Sequence, residues 1–235
     1  MLQAAHDTGT STTSSPKRIV EPRVKLRVTE IFHSLQGESS RVGMPTVFVR
    51  LTGCPLRCVW CDTEYAFSGG KRMTLAEVMV EVGRHECRTV CVTGGEPLAQ
   101  KGSLDLMTAL CDAGYSVSLE TAGALDISPV DPRVARIVDL KAPGSGEADK
   151  NRWQNIELLR SQDELKFVLA SREDYQWAKE LLISRKLDGI CPVLFSPVWG
   201  QLDGAQLAEW ILQDRLPVRF QLQLHKLLWG NERGR

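Results

Sequence analysis

The chain has no excess of charge of either sign: 29 lysines and arginines balance 29 aspartates and glutamates. With no global basic field, long-range attraction to nucleic acid has no source, which counts against enzymes that modify RNA directly. Nor does any apolar run approach the ~18 residues that a membrane-spanning helix needs. The N-terminus lacks the basic-then-apolar pattern of a secretory signal, so the expected location is cytoplasmic. A disulfide framework is also missing, since seven cysteines, an odd number, suit a reducing compartment better. What remains is an ordinary globular composition, 43% hydrophobic and 25% charged over 235 residues.

Along the chain, residues 1–22 are rich in Ser and Thr and cannot bury enough apolar surface to offset their ordering entropy. They read as a disordered tail, with His6 solvated, ahead of a single domain over 23–235. From Lys25 an alternating pattern predicts a strand, with Leu26, Val28, Glu30 and Phe32 on one face and Thr29, Ile31 and His33 on the other. Further strands are expected at 46–52, 89–92, 115–119, 136–140, 164–169, 190–195 and 218–224. Helices are expected at 74–84, opened by a Thr74/Glu77 capping box, and around Leu104–Leu110, closed by Gly114. Others are expected at 151–160, after Ser171 and Asp174, and at 205–213. Strand–helix alternation implies right-handed parallel crossovers. About six such units are too few for a closed eight-unit barrel, so the predicted fold is α/β, a partial, open parallel β/α barrel. Thr93 to Pro97, Glu120 and Thr121, Lys141, Ser196 and His225 all follow strand ends, on the rim where such folds build their sites.

The densest chemistry lies in Cys54-Pro55-Leu56-Arg57-Cys58-Val59-Trp60-Cys61-Asp62-Thr63. A cubane iron–sulfur cluster takes a cysteine on each of its irons. Three thiolates in one short loop can hold three irons and leave the fourth open, and an open coordination position marks a catalytic metal site. A structural zinc would need a fourth nearby ligand, yet the next His or Cys is His85. Gly94-Gly95-Glu96-Pro97 follows a strand, with glycines that let backbone approach a ligand. Arg50 sits between Val49 and Leu51, so its charge points into the barrel and needs an anion. A planar carboxylate fits its fork of donors; an internal ion pair with Glu30 or Glu120 is the alternative. Cys87, Cys91, Cys111 and Cys191 read as small buried apolar residues, and His33 and His85 as ordinary packed or surface histidines.

The cysteine spacing and the Gly94–Pro97 loop resemble the radical S-adenosylmethionine (SAM) superfamily. Leu35-Gln36-Gly37-Glu38, Arg50, Cys61-Asp62-Thr63 and Leu224-His225-Lys226 narrow the resemblance to the 7-carboxy-7-deazaguanine synthase family, over about Arg27 to Trp229. That resemblance implies a radical SAM lyase acting on 6-carboxy-5,6,7,8-tetrahydropterin. Hydrogen abstraction, ring contraction and loss of ammonia follow, on a 7-deazapurine pathway leading to queuosine. It implies a 4Fe-4S cluster on Cys54, Cys58 and Cys61, with SAM beside Trp60, Asp62, Gly95 and Glu96. Ser145 and Ser196 are polar partners for SAM, a turn role being the alternative for each. The implied substrate contacts are Leu35, Gln36, Gly37, Arg50, Thr93 and His225, and magnesium falls to Thr63. The expected partners are an electron donor such as a flavodoxin or ferredoxin and a second copy in a homodimer, with no nucleic acid and no membrane. Two departures stand out: Ser39 where the family has glycine, and a tail at 230–235. A glycyl-radical-enzyme activase shares the cysteine spacing but acts on a partner protein, and a non-catalytic metal-binding module would not need the polar strand ends.

Overall fold

Alternating apolar strands and amphipathic helices leave one economical arrangement, a sheet whose outer face is covered by the helices. The computed structural model describes residues 25–235; the expected tail at 1–22, with His6, lies outside the described residues. The strands are β1 (Lys25–Leu35), β2 (Pro45–Leu51), β3 (Lys71–Thr74), β4 (Thr89–Gly94), β5 (Ser116–Thr121), β6 (Ala135–Leu140), β7 (Glu164–Leu169), β8 (Val193–Pro197) and β9 (Arg219–Phe220). The helices are α1 (Leu75–Gly83), α2 (Gly102–Asp112), α3 (Arg172–Arg185), α4 (Gly204–Asp214) and the short α5 (Leu224–Trp229). They build one nine-stranded open sheet in the order β3-β1-β2-β4-β5-β6-β7-β8-β9. Pairing is parallel from β2 through β9 and antiparallel for β1 with β2 and β3. This is the expected open, partial β/α barrel.

Two apolar clusters fill the space between sheet and helices. One packs Val47, Val49, Leu51, Val90, Val92 and Leu119 against Val78, Val82, Leu106 and Leu110 of α1 and α2. The other is richer in rings, with Phe167, Phe195 and Tyr175 meeting edge to face beside Leu182 and Leu207. The capping box at Thr74 and Glu77 is present, with Thr74 N donating to Glu77 Oε2 at 2.7 Å. Gly114 follows the end of α2 at φ +81°, where an L side chain would be strained.

Several expectations are corrected. The β1–β2 register shifts between Val28 and Glu30, a bulge at Thr29. Bulges redirect the side chains that follow them, so Phe32 lines the inner cavity while Ile31 packs on the outer core with Leu26 and Val28. The predicted helix at 151–160 is a 3-10 stretch over Trp153–Leu158. There the Asn155 amide donates to the carbonyls of Gly123 and Leu125, at 3.0 and 2.8 Å, and such side-chain bonds compete with a helix. The last strand stops at Phe220. Gln221 accepts from Ser39 N at 2.9 Å and Gln223 donates to Glu38 at 2.7 Å, drawing the chain off the sheet edge into α5. His225 therefore stands on a short helix and not at a strand end. The charged edge strand β3 carries no apolar alternation and was not expected.

Candidate active site

The inner face of the sheet encloses a cavity of about 710 Å³ at the C-terminal ends of the parallel strands. Cys54, Cys58 and Cys61 all line it, as do Trp60, Asp62 and Thr63. Their loop is fastened on several sides. Gly53 N donates to Ala66 O at 2.7 Å, and Val59 N to Ser145 O at 3.0 Å. Arg57 N donates to Glu147 Oε1 at 2.5 Å, and Arg57 Nη1 to the carbonyl of Cys54 at 2.8 Å. Burial raises the thiol pKa of Cys54 and Cys58, against the opposing charge of the nearby Lys141.

Among the described residues no three His, Cys, Asp or Glu side chains converge on a single-ion site. Three thiols from one short loop, all on the same cavity wall, suit the separate irons of a cluster. The donor set thus fits a 4Fe-4S group held by three cysteines.

The Gly94–Pro97 loop owes its glycines to the chain itself. A Cβ on Gly94, at φ +147°, would stand 2.2 Å from the carbonyl oxygen of Leu51; one on Gly95 would stand 2.3 Å from that of Gly53. Close approach of the end of β2 at Gly94 and of the start of the cysteine loop at Gly95 thus requires the pair, and both glycines also line the cavity, where the expected approach of a ligand would occur. Glu96 is fully buried, and its carboxylate accepts from Thr121 Oγ1, Ala122 N and Leu98 N at 2.7–3.0 Å. Burial raises its pKa in spite of these bonds. Its oxygens are engaged within the loop and it forms no part of the cavity wall. Ser145 and Ser196 are buried outside that wall too, with Ser145 Oγ donating to Ala142 O at 2.6 Å.

The cavity wall also carries Arg50 and a chain of paired charges. Arg50 Nε donates to Glu30 at 2.7 Å, the internal ion pair weighed as its alternative, while its guanidinium remains on the cavity wall. Next to it Glu120 accepts from Gln36 Nε2 at 3.2 Å and from Thr93 Oγ1 at 2.9 Å. Lys166 bonds Glu38 at 2.6 Å and approaches Asp139 at 3.5 Å, and Lys141 pairs with Asp139 at 3.1 Å. Burial works against the charge on Glu38, yet Lys166 holds its pKa below the usual carboxylate value. Asp62 is held low against its burial by Lys226 at 3.0 Å. His225 is pushed down by burial. It packs so closely over Gly37 that a Cβ there would meet Nδ1 at 2.1 Å. Leu35 and Gln36 complete this wall, and Thr63 Oγ1 lies 3.8 Å from Cys61 Sγ. Cys87, Cys91, Cys111 and Cys191 play no part in the cavity wall.

The sequence reading singled out neither Lys166 nor Tyr65, though Lys166 carries the signal that marked Arg50, a charge between apolar neighbours in a strand. The tail at 230–235 reaches the cavity mouth, with the Arg233 guanidinium 4.2 Å from the centre of the Tyr65 ring.

Residues 48–142 match the family described as the Radical SAM superfamily. A 7-carboxy-7-deazaguanine synthase of Chlorobaculum tepidum is 49% identical over 208 residues, 87% of this chain and 94% of that protein. One from Koribacter versatilis is 42% identical, over 88% of this chain and 98% of its own length. Among solved structures, QueE from Escherichia coli superposes with a TM-score of 0.70 at 23% identity, covering 86% of this chain and 95% of that one, a likeness of fold. With 49% identity over 87% of its own length and 94% of a relative's, the chain belongs to the 7-carboxy-7-deazaguanine synthase family of radical SAM enzymes.

Proposed function

We infer that this chain converts 6-carboxy-5,6,7,8-tetrahydropterin to 7-carboxy-7-deazaguanine with loss of ammonia, as a radical SAM lyase of 7-deazapurine and queuosine biosynthesis. The observation that carries the reading is one cavity lined at once by three loop thiols, by the guanidinium of Arg50 and by the amide and hydroxyl of Gln36 and Thr93. A small carboxylated heterocycle with a polar edge matches those groups.

Cys54, Cys58 and Cys61 would hold the 4Fe-4S cluster, with Trp60, Asp62 and Gly95 beside SAM. Together these groups supply one-electron reductive chemistry that ends in hydrogen abstraction. Glu96, Ser145 and Ser196 act behind the wall, shaping the loops that present those residues. Arg50 binds the carboxylate of the substrate, since a guanidinium edge and a carboxylate form paired charge-assisted hydrogen bonds. Gln36 and Thr93, oriented by Glu120, meet the polar edge of the pterin, and Leu35, Gly37 and His225 close over its plane. Thr63 would supply a hydroxyl to magnesium, a metal that usually takes few protein ligands. The reductant is a small flavodoxin- or ferredoxin-like protein, and the working form a cytoplasmic homodimer. Among the described residues no helix is long and apolar enough to cross a membrane.

The test is anaerobic turnover of carboxy-tetrahydropterin by reconstituted protein, followed by mass spectrometry of the product. Arg50→Ala is expected to lower kcat/KM by roughly 30- to 1,000-fold, about 2–4 kcal/mol, and Arg50→Lys to recover part of it. SAM cleavage without consumption of the pterin would sink the reading.

A further inference from the structure

The bulge at Thr29 places Glu30 opposite Arg50 in the β1–β2 register. The single oxygen Oε1 of Glu30 accepts two hydrogen bonds, one from Arg50 Nε at 2.7 Å and one from the Tyr65 hydroxyl at 2.8 Å. Among the described residues Arg50 Nη1 and Nη2 donate to no other group, and the guanidinium borders the cavity. Its Cζ lies 5.7 Å from the Phe32 ring centre and 5.9 Å from that of Tyr65. Phe32 is itself held by stacking on Phe48, with centroids 5.0 Å apart and planes 12° from parallel.

A free arginine side chain samples many rotamers and loses that freedom when it binds. Here the restriction is already in place. A carboxylate fixes the Nε side and two rings limit tilting of the plane, so the edge bearing both Nη groups is left for a ligand. Tyr65 is suited to its share, because a phenol is an O–H donor that reaches the same carboxylate oxygen as Arg50. It stands on the turn Glu64–Ala66 that ends the cysteine loop, and Ala66 O accepts from Gly53 N at 2.7 Å. The backbone that carries the thiols thereby also sets the position of the tyrosine.

We propose that Glu30 and Tyr65 are positioning residues that hold Arg50 with its Nη edge aimed at the carboxylate of the substrate. This rests on the reading of Arg50 as the carboxylate-binding residue. An ion pair serving the fold alone would require neither a tyrosine on the same carboxylate oxygen nor a guanidinium edge left open to the cavity.

The experiment combines steady-state kinetics with equilibrium binding of oxidised pterin-6-carboxylate, an inert probe with the same carboxylate. Tyr65→Phe should raise KM and the Kd of the probe about three- to tenfold, with kcat within about twofold. Glu30→Gln, which loses the charge and retains the shape, should weaken both by about ten- to a hundredfold. In an Arg50→Ala background each change should add less than about twofold, because the group they orient is gone. Iron content and Tm should stay at the wild-type level in Tyr65→Phe. If Arg50→Ala binds the probe normally, the reading of Arg50 itself fails. If Arg50→Ala loses binding while Tyr65→Phe and Glu30→Gln bind like wild type, or lose as much in the Arg50→Ala background, the positioning role fails and the reading of Arg50 stands.

Discussion

The two faces of the same strands obey different rules. On the outer face of β2, β4 and β5, Val47, Val49, Val90, Val92 and Leu119 are buried and purely apolar. On the inner face the same strands present Phe48, Arg50, Thr93 and Glu120 to a cavity. Outer-face stability is additive area removed from water, tolerant of shape-conserving exchange. Each inner-face charge needs a partner, because an unpaired charge in a partly dry wall costs several kcal/mol, on the order of the whole stability of a domain. The inner face therefore holds pairs, Arg50 with Glu30 and Lys166 with Glu38. Stability and function are written on opposite sides of one sheet, one residue out of step.

Four changes can break or sharpen that division. The largest effect belongs to Cys58→Ala, on the inner rim. It should abolish iron retention and SAM cleavage, read by iron analysis and the visible spectrum, while the far-ultraviolet circular dichroism stays that of the parent. A large drop in Tm of the iron-free variant against the iron-free parent would mean that the inner rim carries the fold as well. Gly94→Ala falls on the seam between the faces. Its Cβ would collide with the backbone of Leu51, so a loss on the order of 4 kcal/mol in denaturant unfolding is expected, with activity falling alongside. Leu119→Ala, on the outer face, should cost about 3 kcal/mol of stability and leave kcat and KM unchanged below its own melting range. A change in KM would show that the faces are coupled.

The smallest effect is a pH dependence. The pKa of His225 is depressed by burial in the folded protein. Its contribution to stability is therefore complete above the unfolded value, about 6.5, and is lost as the pH falls through the lower folded value. His225→Gln should flatten the acid side of the curve of Tm against pH, measured between about pH 7 and 4. A curve identical to that of the parent would remove His225 from the account.

The outer face was legible in the sequence because apolar alternation is a direct consequence of burial. Strands β2 and β4 to β7 appear where their residues predict them, and the capping box at Thr74 is as expected. Unpatterned elements were invisible. β3 is charged edge, the bulge at Thr29 uses a residue at home in any strand, and the 3-10 stretch at Trp153–Leu158 depends on asparagine bonds to distant carbonyls. In the site, the thiols and the glycine pair declare themselves by spacing, and Arg50 by being charged inside an apolar strand. Tyr65 could not be found this way, because its role exists only through the Glu30 that the bulge delivers. The glycine pair was legible in its place, and the structure adds a second demand on it, since close contact between two backbones and close contact with a ligand call for the same residue.

The fastening of the cysteine loop bears on what its thiols do for the fold. Small zinc domains have no loop to speak of until the metal organises one, and chelators unfold them. Here the loop is tied through Gly53 to Ala66 and to Glu96 N, through Val59 to Ser145 and through Arg57 to Glu147, all by bonds that involve no metal. Bonds that use no thiol thus fix the path of the loop, so exchanging a single cysteine is expected to remove a ligand and leave that path in place.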